Sequence, residues 1–498
     1  MLRSCVRQRT TTAEQTDNSM TPAALVGIDV GTSSTKGIAI DPTSGAVIAV
    51  AEREYPVSSP HVGWMEQQPD AWLAATHDVL ESLRTSVPEI LGIGFSGQMH
   101  GLVCLDADGA VIRPAILWND QRSAPQCAAL ESGDGRDRLL RLTGNRALPG
   151  FTAPKLLWMR EHEPAAYARI RKICLPKDYV RDRLVGGHRT DVADASGTLL
   201  LDVDQRRWSA ELLTDLDISE AWLPELAESP NAVGELDGAP VAAGAGDQAA
   251  AAVGAGITGP GPLSVVLGTS GVVLAATDHF LSDREGRVHA FCHAVPARWM
   301  VMGVMLSAAG SLAWYHQTLL PGVDYDAMLA EAESVPAGSE GLVFLPYLAG
   351  ERTPHADPNA RGAFCGLSMT HGRGTITRSV LEGVAFGLRD CLDAVHDVGA
   401  TITRGRVSGG GSRSRLWLQI VASALEIPLE VMATDQGSAF GAALLGGVAA
   451  GVYADLEQAT AQCVRVTEVI DPVAEWIEPY RETRRRFRDY YPALHSVT

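Results

Sequence analysis

The chain has little positive charge, few aromatic residues and no long apolar run, and each shortage removes a class of function. Its 41 lysines and arginines stand against 59 aspartates and glutamates, a formal net charge of −18. A general nucleic-acid binder or a peripheral protein of anionic membranes needs a basic footprint, so both classes are excluded. A polyanionic ligand must then be met by a local site. No apolar stretch approaches the roughly 18 residues that cross a bilayer, and no signal-type apolar segment follows Met1. The eight cysteines, at 5, 104, 127, 174, 292, 365, 391 and 463, form no C-x-x-C pair and no metal-ligand spacing. That usage excludes a disulfide scaffold or a zinc ribbon and fits a cytoplasmic protein.

What is present is a chain of 498 residues, 46% hydrophobic, long enough for two or three domains with a sizeable core. The opening run MLRSCVRQRTTTAEQTDNSMTP is polar and aperiodic, and it predicts a disordered extension over residues 1–23. Short β-type runs and amphipathic helical runs then alternate, the grammar of an α/β protein. ALVGIDV and TKGIAID flank Gly-Thr-Ser, and the same strand, Gly-Thr-Ser, strand figure returns in GPLSVVLGTSGVVLAA. Two such hairpins predict a duplicated architecture, with a boundary in the loose VGAGITGPGP and domains over 24–257 and 258–498, the second ending in a helix.

The first hairpin has phosphate-loop ingredients in the wrong order. A Walker loop has glycine directly before its lysine and a helix after it, whereas Gly31 is five residues before Lys36 and a strand follows. A Gly-Thr-Ser turn can still offer N–H groups and hydroxyls to a phosphate. Asp29, just before it, is either a hard oxygen ligand for Mg²⁺ or a carboxylate that closes the turn by hydrogen bonds. In GAGDQAAAA, Asp247 opens an Ala-rich helix. The helix N-terminus should keep it ionised at neutral pH, as a general base or as an ordinary capping residue. Gly409-Gly410-Gly411, between a strand and a helix, suits either a flat ligand or a tight turn.

These segments, with FLPYLAGERTPHADPNARGAFCGL and DQGSAFGAALLG, resemble the FGGY family of carbohydrate kinases across residues 25–490. SGQMHG, RPAILWNDQRS, GFTAPKLLWM, LPKDYVRDRL and TDVADASGTLLLDV further resemble the members acting on D-xylulose. The resemblance implies two RNase H-like domains of the actin, hexokinase and Hsp70 ATPase superfamily, each with a five-stranded mixed sheet, around a deep cleft. It implies ATP and Mg²⁺, with the sugar held mainly by the first domain and the nucleotide mainly by the second. It makes Asp247 the base on the sugar 5-hydroxyl, and Asp29 the second essential carboxylate, with both carboxylates at the metal. Thr32, Ser33, Lys36, Gly268, Thr269, Ser270, Gly410 and Gly411 fall to the nucleotide and its phosphates. Gln98, Met99, His100, Trp118 and Asp120 fall to the sugar. A homodimer is also implied, and neither nucleic acid nor membrane is expected as a partner. The alternatives are a family member for ribulose, gluconate or glycerol, or a non-catalytic sugar sensor.

Overall fold

The computed structural model describes residues 23–434 and 436–495. The expected N-terminal extension lies outside the described residues apart from Ala23, which opens the first strand. That strand, β1 (Ala23–Val30), turns through Gly31 into β2 (Ser34–Ile40), and β3 (Val47–Glu54) continues the meander. Helix α1 (Pro69–Ser86) follows, and its buried stripe Trp72, Val79, Leu80 and Leu83 has the spacing of a helix with one face on a sheet. The chain then enters β4 (Glu89–Gly97), buried over its second half, as its nearly continuous apolar run predicts. After an excursion that includes α2 (Thr152–His162), the sheet is completed by β5 (Ala232–Leu236), β6 (Ala239–Ala242) and β7 (Ala245–Gly246). Strand order is β5-β6-β4-β1-β2-β3, with β7 pairing β4.

Helix α3 (Asp247–Gly254) leads from β7 into the second half. There β8 (Gly261–Leu267), β9 (Gly271–Thr277), β10 (His289–Cys292) and β11 (Trp299–Met305) precede α4 (Ala309–Leu319) and the long α5 (Arg373–Asp397). Next come β12 (Ile402–Ser408), α6 (Arg415–Leu425), β13 (Leu429–Met432), α7 (Gly437–Ala449), β14 (Val466–Ile470) and α8 (Ala474–His495). Strand order is β10-β11-β9-β8-β12-β13-β14.

The duplicated hairpins now have a structural meaning. In one sheet β3-β2-β1-β4-β6 and in the other β11-β9-β8-β12-β13 run in the same order, antiparallel through the meander and parallel beyond it. Each sheet has seven strands where five were expected: β5 adds an edge and β7 pairs with the interior strand β4 in the first sheet, and β10 and β14 add an edge on either side of the second. In the expected C-terminal helix α8, Tyr480 and Phe487 are buried, and Arg484 turns inward onto Asp390 and Asp393 of α5. Among the described residues no helix is long and apolar enough to cross a membrane.

The two halves are joined by backbone contact. Helix α7 belongs by sequence to the second half, yet it lies against β1 and β4 of the first sheet and crosses α3. A Cβ on Gly94 would stand 1.8 Å from the carbonyl oxygen of Ala442, and one on Gly441 would stand 1.8 Å from that of Ala250. Only glycine permits such an approach, so the small-residue run GSAFGAALLGG is a packing requirement.

Candidate functional site

Asp29 and Asp247 stand at the C-terminal ends of two strands, β1 and β7, that flank β4 in parallel. In the register, Asp29 lies beside Ser96 of β4, and Ser96 pairs with Ala245 of β7 on its other side. Asp247 follows two residues later as the first residue of α3, which puts the two carboxyls on either side of the end of β4, near enough for Asp29 to perturb Asp247. Ligands of open α/β sheets bind in this crevice. Ser96 Oγ donates to Asp29 Oδ1 at 2.7 Å, and Ser438 at the start of α7 donates to the same carboxyl, which ties it to the second half.

The electrostatics correct one expectation. A helix N-terminus should keep Asp247 ionised, but burial and then the nearby Asp29 carboxylate push its pKa up to about 7. Desolvation outweighs both the helix dipole and the bonds from Gln248. Burial likewise raises Asp29, against opposition from Ser96, Ser438 and Lys36. Two buried carboxyls this close are a natural cation site. Among the described residues no cluster of three or more His, Cys, Asp or Glu side chains could hold a metal alone. Two carboxylates completed by substrate phosphates and water are the usual surroundings of Mg²⁺, so the residues fit that ion.

The first hairpin frames the phosphate side. Lys36 is the cross-strand partner of Asp29 and shares its face. Tyr55 Oη donates to Gly31 O at 2.6 Å and Gln67 Nε2 to Thr32 O at 2.7 Å, which fixes the turn, while Ser33 is exposed at its tip. Gln98 is committed to the turn. It is buried, its Oε1 accepts from Thr32 Oγ1 at 3.2 Å, and its Nε2 donates to Gly31 O and Gln67 Oε1. Asp120 is also spent inside: it is fully buried, accepts from the Met65 amide at 2.6 Å and is paired with Arg122. Both residues thus brace the turn and the loop beside it from within. Trp118 remains a candidate, 42% exposed, with Nε1 donating to Thr32 Oγ1 at 3.0 Å.

Met99 sits against β7, the strand that leads into Asp247, and His100 beside it sits against Gly197. A Cβ on Gly246 would stand 2.7 Å from Met99 Cγ, so glycine there lets the thioether lie against β7. His100 has φ 70°, a left-handed conformation that few non-glycine residues occupy without a local reason. The reason lies in its carbonyl, which accepts from Thr152 Oγ1 and from Lys155 Nζ, each at 3.0 Å. Its ring is held by Gly197 O, 2.9 Å from Nδ1. Burial, Lys155 and Arg352 push the imidazole pKa down to about 3 against that bond, so the ring is neutral. Nδ1–H therefore donates to Gly197, and Nε2 keeps a lone pair for a hydroxyl donor.

Lys155 was missed by sequence reading, although its motif GFTAPKLLWM stands out. It is fully buried, also donates to Gly150 O at 2.7 Å, and is pushed down to about 7 by burial. Lys155→Met is expected to raise the sugar KM about tenfold, the scale of one lost charge-assisted hydrogen bond, with the ATP KM unchanged. Steady-state kinetics on both substrates check this. A second missed group lies under β7, where Lys177 Nζ joins Asp178 and Asp191 at 2.7 Å and Asp194 at 3.0 Å, all fully buried. Asp194 Oδ1 reaches within 3.3 Å of the Cβ position of Gly246.

On the second sheet, the Gly268-Thr269-Ser270 turn holds the start of α4. Thr269 O accepts from the amides of Ala308 and Gly310, and Gly268 O from that of Ala309. The side chains of Thr269 and Ser270 remain exposed. Gly410 is exposed, with open space where a Cβ would stand, whereas Gly411 is buried, and a Cβ on it would stand 3.0 Å from the Trp417 ring. Gly410 is therefore a ligand-facing candidate and Gly411 a packing position. Gly409, at φ 88°, brings this loop against Leu267 and Gly268 of the second hairpin.

The arrangement matches known proteins along nearly its whole length. The model of the FGGY family of carbohydrate kinases, N-terminal domain, matches residues 24–254, and that of its C-terminal domain matches residues 263–450. A xylulose kinase of Escherichia coli is 41% identical over 483 residues, covering 94% of this chain and 99% of that protein. A crystal structure of a xyloylose kinase from Brucella ovis superposes with a TM-score of 0.90 at 43% identity, over 95% of this chain and 100% of the other. A gluconate kinase from Lactobacillus acidophilus superposes equally well, TM-score 0.90, at 26% identity over 95% of this chain and 98% of the other. With both family models matched and the duplicated sheets in place, the chain belongs to the FGGY family of carbohydrate kinases and is a sugar kinase.

Proposed function

We propose that the chain transfers the γ-phosphoryl group of ATP to the 5-hydroxyl of D-xylulose. The observation that carries the chemistry is the pair of buried carboxyls, Asp29 and Asp247, at the ends of strands that flank β4. Phosphoryl transfer needs alignment and charge neutralisation more than covalent chemistry. Asp247, with its pKa raised to about 7, is matched to taking a proton from a hydroxyl near neutral pH. Thr32, Ser33 and Lys36 would meet the phosphates from the first half, and Thr269, Ser270 and Gly410 the nucleotide from the second. Asp29, with Asp247, would hold Mg²⁺, whose bound charge would neutralise the phosphate oxygens. Met99, the neutral His100 and Trp118 would line the sugar side.

The choice of D-xylulose rests on the relatives' activities and on the Met99-His100 wall, which offers an apolar surface and one acceptor. The gluconate kinase neighbour makes an aldonate the reading to exclude. A coupled assay of ADP release with D-xylulose, D-ribulose, L-ribulose, gluconate and glycerol tests it. D-xylulose is expected to give the highest kcat/KM, and a higher value for any other sugar overturns the reading.

A further inference from the structure

We infer that Arg352 and His289, contributed by the second half, close the sugar pocket opposite His100, with the Arg352 guanidinium donating to the carbonyl and adjacent hydroxyl of an open-chain ketose. The inference rests on the reading that Met99 and His100 bind the sugar. It adds a specificity-determining contact from the half otherwise given to the nucleotide.

Four rings from both halves form one wall. His100 meets Phe151 edge to face, with centroids 4.7 Å apart, and Phe291 of β10 lies 6.2 Å from His100. His289, also on β10, stacks on Phe291 at 5.7 Å and meets Phe151 at 5.8 Å. The phenylalanines are buried, whereas His100 and Arg352 stay partly open. Such a wall is an apolar backing that holds the partly open His100 and Arg352 at its rim, where a sugar's polar groups can meet them.

Arg352 is held in place but not paired. Its chain segment is clamped to β11: Glu351 Oε1 accepts from the amides of Leu306 and Arg352, and the Thr353 amide donates to Val304 O at 2.9 Å. No carboxylate lies within 4.0 Å of its guanidinium among the described residues, and the contact it does make is to His289 Nε2 at 3.5 Å. The neighbouring Glu351 is no counter-ion at neutral pH, since burial pushes it up to about 8.

The tautomer of His289 explains that contact. Asn145 spends its amide N–H groups on Thr143 O and Ala290 O, so its Oδ1 accepts from His289 Nδ1–H at 2.8 Å. Nε2 is then a bare acceptor facing Arg352, and burial, Arg352 and His100 together keep the ring neutral. The fork makes this one side-chain contact, and its charge lies near enough to His100 to depress that imidazole as well. A planar donor fork opposite a neutral acceptor suits a carbonyl oxygen flanked by hydroxyls, and it suits poorly the reduced polyol, which lacks the carbonyl.

The test uses the full chain and its Arg352→Gln and Arg352→Lys variants, with D-xylulose, D-arabitol (one of the two C2-reduced forms of the ketose) and gluconate as acceptors. Arg352→Gln is expected to raise the D-xylulose KM about 10- to 100-fold while the ATP KM stays put. Its preference for ketose over polyol should collapse to within a few-fold of unity. Arg352→Lys keeps the charge without the fork, and should lose the preference while recovering part of the KM. A sugar KM within twofold of wild type, an unchanged ketose-to-polyol ratio, or a parallel rise in the ATP KM overturns the inference. So does a wild-type preference for gluconate that depends on Arg352. Wild-type enzyme inactive on every ketose removes the functional reading itself, an outcome distinct from active wild type with indifferent variants. Unfolding midpoints identify a variant that has lost its fold, and Arg352→Lys then carries the comparison.

Discussion

Asp247→Asn is expected to lower kcat by about two to four orders of magnitude, the range for loss of a general base, and to stabilise the protein at pH 8. The two effects have one cause. The folded-state pKa of Asp247 is about 7 against an ordinary 3.8, so the folded protein holds a proton that the unfolded chain releases. The neutral carboxyl's contribution to stability is fully present below pH 3.8 and is lost as the pH rises through about 7. At pH 8 the ionised carboxylate then costs the fold at most about 4 kcal/mol, since each tenfold change in proton affinity is worth roughly 1.4 kcal/mol. Asparagine keeps the shape and an oxygen for the Gln248 amide without that charge. The variant's unfolding midpoint should exceed wild type at pH 8, and the gap should narrow at pH 5. For the wild type, kcat/KM for the sugar should fall on an acid limb near pH 7. Turnover within tenfold of wild type, or a stability gain that is larger at pH 5, removes Asp247 from its role.

This case also marks how far the sequence could be read. The hairpins, Asp29 and Asp247 were legible because turn glycines between apolar strands mark the chain locally, and both carboxylates adjoin such turns. The ionisation of Asp247 was not legible, since desolvation and the neighbouring Asp29 exist only after β1, β4 and β7 are side by side. The inward partners of Gln98 and Asp120 were hidden for a similar reason. A polar residue inside a site motif does not say which way it faces, and both turn inward to support the loops. Lys155 and Arg352 act on partners 55 and 63 positions away, His100 and His289, which no local pattern reveals. Only the fold brings GFTAPK and GERTP to the same wall.

The second large effect is expected from Gly94→Ala. Its methyl group would stand 1.8 Å from the carbonyl oxygen of Ala442 in α7, and 2.7 Å from the carbon of the same carbonyl. Both sides of that clash are backbone, so no side-chain rotation relieves it, and α7 must lift off β4 by about 1.5 Å to reach ordinary contact. The helix cannot tilt freely, because Gly27 approaches Ala439 O and Gly441 approaches Ala250 O as tightly. Overpacking of this kind costs about 1–3 kcal/mol or more, and here three backbone contacts move together. Catalysis should suffer as well, since Ser438 at the start of α7 bonds Asp29 and would withdraw with the helix. We expect a lower unfolding midpoint together with a reduced kcat, whereas Gly259→Ala, where a Cβ meets nothing within 4 Å, should change neither. If Gly94→Ala unfolds at a lower temperature but turns over normally, α7 supports the sheet without positioning Asp29. If it changes neither quantity, the direct backbone packing of α7 on β4 is not what couples the two halves.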